Sequence, residues 1–163
     1  MPYKFFLICL VLNVYCNNIQ EFMIDEAKKT DVQELIILLQ ELGYNFTEQE
    51  IQEKITTYAT TKHNKLFTNR LNGKICGFLA FDFSDSFIKG PSGKIDTLIV
   101  KQEYRSLGIG KQLVSHAENY AKQLGCTLIS VTSSNPRIGA HKFYEKLDYV
   151  LDSKIFIKYL KLH

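Results

Sequence analysis

"YRSLGIGKQL", Tyr104 to Leu113, is the stretch on which the fold of this chain turns. Beyond it Leu113, Val114, Ala117, Tyr120, Ala121 and Leu124 recur at helical spacing, which predicts a helix from Gly108 to Leu124 that Gly125 ends. Before it, Lys94 to Val100 reads as a strand. A loop from a strand into a helix start presents backbone N–H groups that no intrahelical carbonyl accepts, and the helix dipole favours negative charge there. Gly108 and Gly110 remove side chains that would hold an anion away, while Arg105 and Lys111 can add charge-assisted contacts. The candidate anion-binding residues are therefore Arg105, Ser106, Leu107, Gly108, Ile109, Gly110 and Lys111. Such a loop suits a diphosphate.

Two other phosphate loops can be tested against the same residues. A Walker loop needs Ser or Thr after its lysine, and Gln112 follows Lys111, so no hydroxyl is available for magnesium. A dinucleotide fingerprint needs a third glycine where Leu113 stands, and it belongs at the first strand of a parallel unit. Neither pattern fits.

Working outward, the remaining elements follow from period and punctuation. "MIDEAKKTD" opens with a short edge strand and ends at Thr30 and Asp31, which can cap a helix carrying Val32, Leu35, Ile36, Leu38, Leu39 and Leu42, stopped by Gly43. Thr47 to Glu50 has capping-box spacing and opens a second helix that buries Ile51 and Ile55 and reaches about Tyr58. The period then changes to two: Leu66–Leu71, the Asn72-Gly73 pair and Lys74–Phe83 predict a hairpin with a primed turn. "GPSG" is expected to break the next connection. A strand from Thr127 to Thr132, a short helix near Gly139 to Leu147 and a last strand from Tyr149 to about Tyr159 complete the series. The order β-α-α-β-β-β-α-β-α-β predicts an α/β (α+β) fold, a mixed central sheet with helices on both faces.

Composition bounds the function. At 163 residues and 45% hydrophobic content the chain fits one compact domain, assigned to residues 23–163. A net charge of +3 with interspersed signs argues against a nucleic-acid partner. Cys9, Cys16, Cys76 and Cys126 have neither CxxC spacing nor disulfide-framework density, so a reduced compartment and no structural metal are expected. Residues 1–22 differ from the rest: the apolar run Phe5 to Leu12 is too short to span a bilayer and lacks a small-x-small cleavage site after it. It reads either as a leader or as an upstream start before Met23, in both cases outside the fold. The expected setting is cytoplasmic, with no membrane association.

Arg105-Ser-Leu-Gly108-Ile-Gly110, preceded by "IDTLIV" and followed by "RIGAHKFYEKLDY", resembles the acetyl-CoA-binding core of the GNAT superfamily of N-acetyltransferases. The resemblance runs from Met23 to Leu160 in element order and from Lys94 to Tyr149 in residues. The Arg137 to Tyr144 run and the ending "FIKYL" are similar to small-amine acetylators, including the aminoalkylphosphonate N-acetyltransferases. It implies acetyl-CoA as co-substrate, a primary amine of a small molecule as acceptor, and direct attack in a ternary complex without metal or covalent intermediate. It also implies that backbone N–H groups at Leu98, Ile99 and Val100 pair with the pantetheine arm and polarise the thioester carbonyl, and that Tyr144 is the general acid.

Tyr144 also sits in an apolar stripe with Ala140, Phe143 and Leu147, which a packing role would explain, but the loop upstream favours catalysis. Asn135 could bond the cofactor or only form the turn before Pro136; His141 is placed as a surface or supporting residue. Strict alternation puts Asp96 on one face with Leu98 and Val100, where it could accept the ammonium proton or simply anchor charge. Asp82 and Asp85 are alternatives for a cationic substrate. Asp148 departs from the family's usual glycine but tolerates positive φ. The other readings are an acyl-CoA-binding sensor without catalysis and acetylation of a protein or peptide amine. An exposed last strand could pair two copies of the chain into a homodimer.

Overall fold

The computed structural model describes residues 22–134, 136–152, 155 and 157–159. The apolar run from Phe5 to Leu12 and Asn135 lie outside the described residues. The chain divides into two compact units, the first ending at Val131 and the second starting at Thr132.

The first unit is organised by one five-stranded sheet in spatial order β1 (Phe22–Glu26), β2 (Lys65–Leu71), β3 (Lys74–Ser86), β4 (Gly90–Val100) and β5 (Leu128–Val131). The first three pairings are antiparallel and the fourth is parallel. Helices α1 (Val32–Gln40) and α2 (Glu48–Thr60) follow β1, and α3 (Ile109–Gln123) crosses from β4 to β5. The predicted capping box opens α2: the Glu50 N–H donates to Thr47 Oγ1 at 3.3 Å and the Thr47 N–H donates to Glu50 Oε2 at 2.7 Å. Asn72 and Gly73 both take positive φ, 50° and 82°, as a primed hairpin turn requires. Asp31 does not cap α1 as expected. Its carboxylate instead accepts the Lys28 N–H at 2.7 Å and an Arg70 guanidinium N–H at 2.6 Å, tying the start of α1 to β2.

The sheet separates two apolar layers. On one face Val32, Leu35, Leu38, Leu39, Ile51 and Ile55 of α1 and α2 pack on Leu66, Ile75, Phe78, Ala80 and Ile99. On the other, α3 buries Ile109, Leu113, Val114, Ala117 and Ala121. Phe67 meets the His116 and Tyr120 rings of α3 at 4.6 and 5.6 Å, and Phe81 meets Tyr120 at 5.3 Å. Each fully buried aliphatic side chain contributes roughly 1.5–3 kcal/mol, so these layers fix how α3 lies on the sheet.

Two β-bulges interrupt the alternation. Between Asn69 and Arg70 the partner steps from Gly77 to Ile75, leaving Cys76 as the extra residue on β3; between Ala80 and Phe81 it steps from Thr97 to Ile95, leaving Asp96 extra on β4. An extra residue sends later side chains to the opposite face. Ile75 thus packs beneath α1 and α2, whereas Leu79, in register with Phe67, faces α3. Ile99 likewise faces α1 and α2, while Leu98, in register with Leu79, faces α3. This corrects the expectation that Asp96 shares a face with Leu98 and Val100: strict period-two counting cannot register an inserted residue.

Three further boundaries differ from the sequence reading. "GPSG" does not break the chain but starts β4, with Gly90 opposite Ser86 and Gly93 opposite Phe83. Gly93 is needed there by proximity, since a Cβ on it would lie 2.7 Å from Phe81 Cε2. β1 opens at Phe22, inside the segment assigned to the leader, because that residue pairs with Leu71. The last strand does not form over 149–152, 155 or 157–159, and the rest of that stretch lies outside the described residues. An alternating apolar pattern supplies only one half of a strand, the other half being a hydrogen-bonding neighbour.

The second unit contains α4 (Ile138–Glu145), where a short helix was expected. Past its end Asp148 has a φ of 63°, a left-handed conformation that favours glycine and that Asp tolerates, as expected.

Candidate active site

The loop between β4 and α3 is fastened at both ends. After Val100 the Lys101 N–H donates to the carbonyl of the bulged Cys76 at 2.9 Å, and Gln102–Tyr104 make one 3-10 turn. Ser106 and Gly108 are left-handed, with φ of 66° and 80°. For Ser106 this costs about 1 kcal/mol, a strain that persists only where the surroundings impose it. At Gly108 the φ accounts for the glycine, and a Cβ there would meet nothing within 4 Å, so the backbone is approachable from that side. The Gln112 N–H donates to the Gly108 carbonyl at 3.0 Å and closes the first turn of α3. The N–H groups of Ile109, Gly110 and Lys111 precede that bond, at the positive end of the helix dipole.

Arg105 has a second task besides the one expected of it. Its Nε donates to the Val100 carbonyl at 3.0 Å, and its Nη2 donates at 3.1 Å to Glu41 Oε2, which also accepts the Gln102 N–H at 3.1 Å. The guanidinium thus braces the loop between the end of β4 and α1, with its other N–H groups left over for an anion. Glu41 carries no motif signature, and only the fold brings it to the loop.

Beside this loop the sheet opens. Parallel pairing of β4 with β5 runs from Ser92 opposite Leu128 to Ile95 opposite Val131 and stops. Among the described residues no strand borders the stretch from Asp96 to Val100 on that edge. Backbone groups of Leu98 and Val100 point away from β3 and meet no described strand, whereas those of Ile99, two residues before the Lys101 N–H that the Cys76 carbonyl accepts, point into the β3 pairing; the Val100 carbonyl accepts from Arg105.

At the β4 bulge, polar side chains gather on the α2 side. Lys94 Nζ lies 2.8 Å from Asp96 Oδ1, and the Thr97 hydroxyl donates to Asp96 Oδ2 at 3.4 Å. The Tyr58 hydroxyl of α2 donates to Asp82 Oδ1 at 2.7 Å, and Asp82 pairs with Lys94 across the strands. Burial, followed by the hydrogen bond to Asp82, pushes the Tyr58 phenol well above its ordinary value; the hydrogen bond that Lys94 donates to Asp96 raises that of Lys94. Tyr58 and Lys94 enter the sequence reading only as element boundaries, because neither sits in a motif. Asp85 is exposed and lies further toward the β3–β4 turn.

In the second unit Tyr144 is partly buried against Phe143 and Tyr149, with ring centroids 5.1 and 5.5 Å away. Burial pushes its phenol up to about 12, with Arg137 pulling weakly the other way. His141 Nε2 lies 3.1 Å from the Ser134 carbonyl, which can only accept, so this nitrogen donates. Among the described residues no group of three or more His, Cys, Asp or Glu could hold a metal, and no helix is long and apolar enough to cross a membrane.

Residues 30–149 match the family model described as the acetyltransferase (GNAT) family. The chain belongs to this family. An uncharacterised N-acetyltransferase of Bacillus subtilis is 32% identical over 94 residues, which cover 57% of this chain and 64% of that protein. A glucosamine 6-phosphate N-acetyltransferase of Trypanosoma brucei brucei is 29% identical over 87 residues, 52% of this chain and 57% of the relative. The chain thus spans less than two thirds of either. An aminoglycoside N-acetyltransferase, AAC(6')-Iy, solved in complex with CoA has the same fold, with a TM-score of 0.78 at 16% identity, covering 87% of this chain and 96% of that one. The five-stranded mixed sheet with helices on both faces is accordingly the GNAT fold.

Proposed function

We propose that this chain is an acetyl-CoA-dependent N-acetyltransferase that acylates a primary amine of a small molecule by direct attack in a ternary complex. The observation that carries this reading is the α3 start, with its left-handed Ser106 and Gly108, beside the stretch of β4 that no strand borders among the described residues. Acetyl-CoA, when bound, supplies the thioester carbonyl that the amine attacks.

The chain's own residues take the following roles. The N–H groups of Gly108, Ile109, Gly110 and Lys111 receive a diphosphate, with the charges of Lys111 and Arg105 and the backbone of Ser106 and Leu107 completing the cradle. Backbone donors of Leu98 and Val100 hold the pantetheine arm and stabilise the negative charge that the carbonyl oxygen gains. Asp96 accepts the proton of the acceptor ammonium, directly or through water. Tyr144 supplies the proton that the departing thiolate needs, and its phenol is available because it stays protonated until the pH nears about 12. A small-molecule acceptor is supported by the names of the relatives, a sugar phosphate N-acetyltransferase and an aminoglycoside N-acetyltransferase.

The test is calorimetric titration of the full chain with CoA, followed by free-thiol release with a panel of aminoalkylphosphonates, polyamines, aminoglycosides and peptide N-termini. CoA binding, turnover of a small amine and a fall in kcat of about a hundredfold in Tyr144→Phe support the proposal. CoA binding without turnover of any amine would make the chain a binding module.

A further inference from the structure

Asn69 is fully buried at 0% exposure on β2, yet its Oδ1 has no hydrogen-bond partner among the described residues. Its Nδ2 donates to Gln112 Oε1 at 3.0 Å. A buried amide satisfied on one side only is a stability liability, and an apolar side chain of the same shape would fill its place at less cost. Retention of such a group calls for a use beyond packing.

Its surroundings identify the use. Gln112 is the residue whose N–H closes the first turn of α3 on the Gly108 carbonyl. Asn69 pairs across the strands with Gly77, where a Cβ would lie 2.8 Å from Ile109 Cγ2, 2.9 Å from Leu113 Cδ1 and 3.2 Å from the Ile99 carbonyl oxygen. Gly77 follows the bulged Cys76, whose carbonyl receives the Lys101 N–H at the other end of the loop. One bulge therefore holds both ends of the anion loop: Cys76 takes its entry, Gly77 admits the two aliphatic side chains beneath its exit, and Asn69 tethers the closing residue of the first turn.

We propose that Asn69 and Gly77 are positioning residues for coenzyme binding, seating the first turn of α3 on the β2–β3 bulge at the depth where its N–H groups can meet a diphosphate. This rests on the acetyltransferase reading above and names what aims its coenzyme loop. Neither residue touches the coenzyme.

Asn69→Leu separates positioning from packing because the two predict opposite signs. Removing the half-satisfied amide leaves the melting temperature unchanged or higher, while loss of the tether weakens CoA binding by about three- to tenfold, read by calorimetry on the full chain. Gln112→Leu weakens CoA binding likewise but lowers the melting temperature, because it leaves the buried Asn69 amide with no partner, and the double variant binds no worse than either single one, because both remove one interaction. Gly77→Ala also weakens CoA binding, and adding Ile109→Leu, which deletes the crowded Cγ2, recovers part of the loss. If Asn69→Leu lowers the melting temperature and leaves CoA affinity at the parental value, Asn69 is only a packing residue and the inference fails. If the parent chain itself gives no heat with CoA, the acetyltransferase reading falls and this inference with it; parental binding matched by all variants sinks this inference alone.

Discussion

The two bulges of the central sheet do opposite things with the same device. At Cys76 on β3 the extra residue is fully buried, its neighbour Gly77 has no side chain, and its carbonyl holds the chain where β4 ends. At Asp96 on β4 the extra residue is exposed and charged, and it turns a carboxylate to the side that carries Lys94 and Tyr58. The first bulge fixes where backbone lies; the second chooses which face a side chain serves. An insertion in a strand can therefore either fix a backbone position or aim a side chain, depending on whether apolar packing or a polar side chain meets it.

The comparison breaks first where burial is greatest. Leu113 is 0% exposed in the layer over the Cys76 bulge, so Leu113→Ala should destabilise the fold by about 3 kcal/mol in chemical denaturation. A loss under a third of that would mean that α3 is not seated as described. Next comes the other bulge: Asp96→Asn should lower kcat/KM for the amine by about a hundredfold while CoA affinity measured by calorimetry holds. Equal losses in both would dissolve the division of labour between the bulges.

Smaller effects sharpen the contrast. Gly108→Ala has open space for its methyl group but must keep a φ near 80°, so it should cost about 1–2 kcal/mol in melting and weaken CoA binding. Unchanged melting would show that the loop has relaxed to another conformation. The smallest effect belongs to Lys94 and Asp96, whose side chains are 44% and 43% exposed, so the pair is worth no more than about 0.5 kcal/mol. Because the folded-state value of Lys94 is raised above 10.5, this contribution is present below that pH and disappears as pH climbs through the raised value. Lys94→Met should remove that alkaline slope from a denaturation series and leave stability at pH 7 almost unaltered.

The sequence by itself determined most of the elements and the strand-to-helix loop before α3. The capping box at Thr47, the Asn72-Gly73 turn and the helical spacing after Gly108 are local: each depends on residues a few positions apart, and each formed where its chemistry demanded. What only the tertiary structure decided lies between elements. The face of Asp96, the use of Gly93 inside a strand, the clasp of Glu41 on Arg105 and the tether of Asn69 to Gln112 all depend on pairing register and on neighbours far along the chain. A periodic pattern states which residues alternate. It carries no record of the one extra residue that reverses the alternation, because that insertion is defined only against the strand beside it.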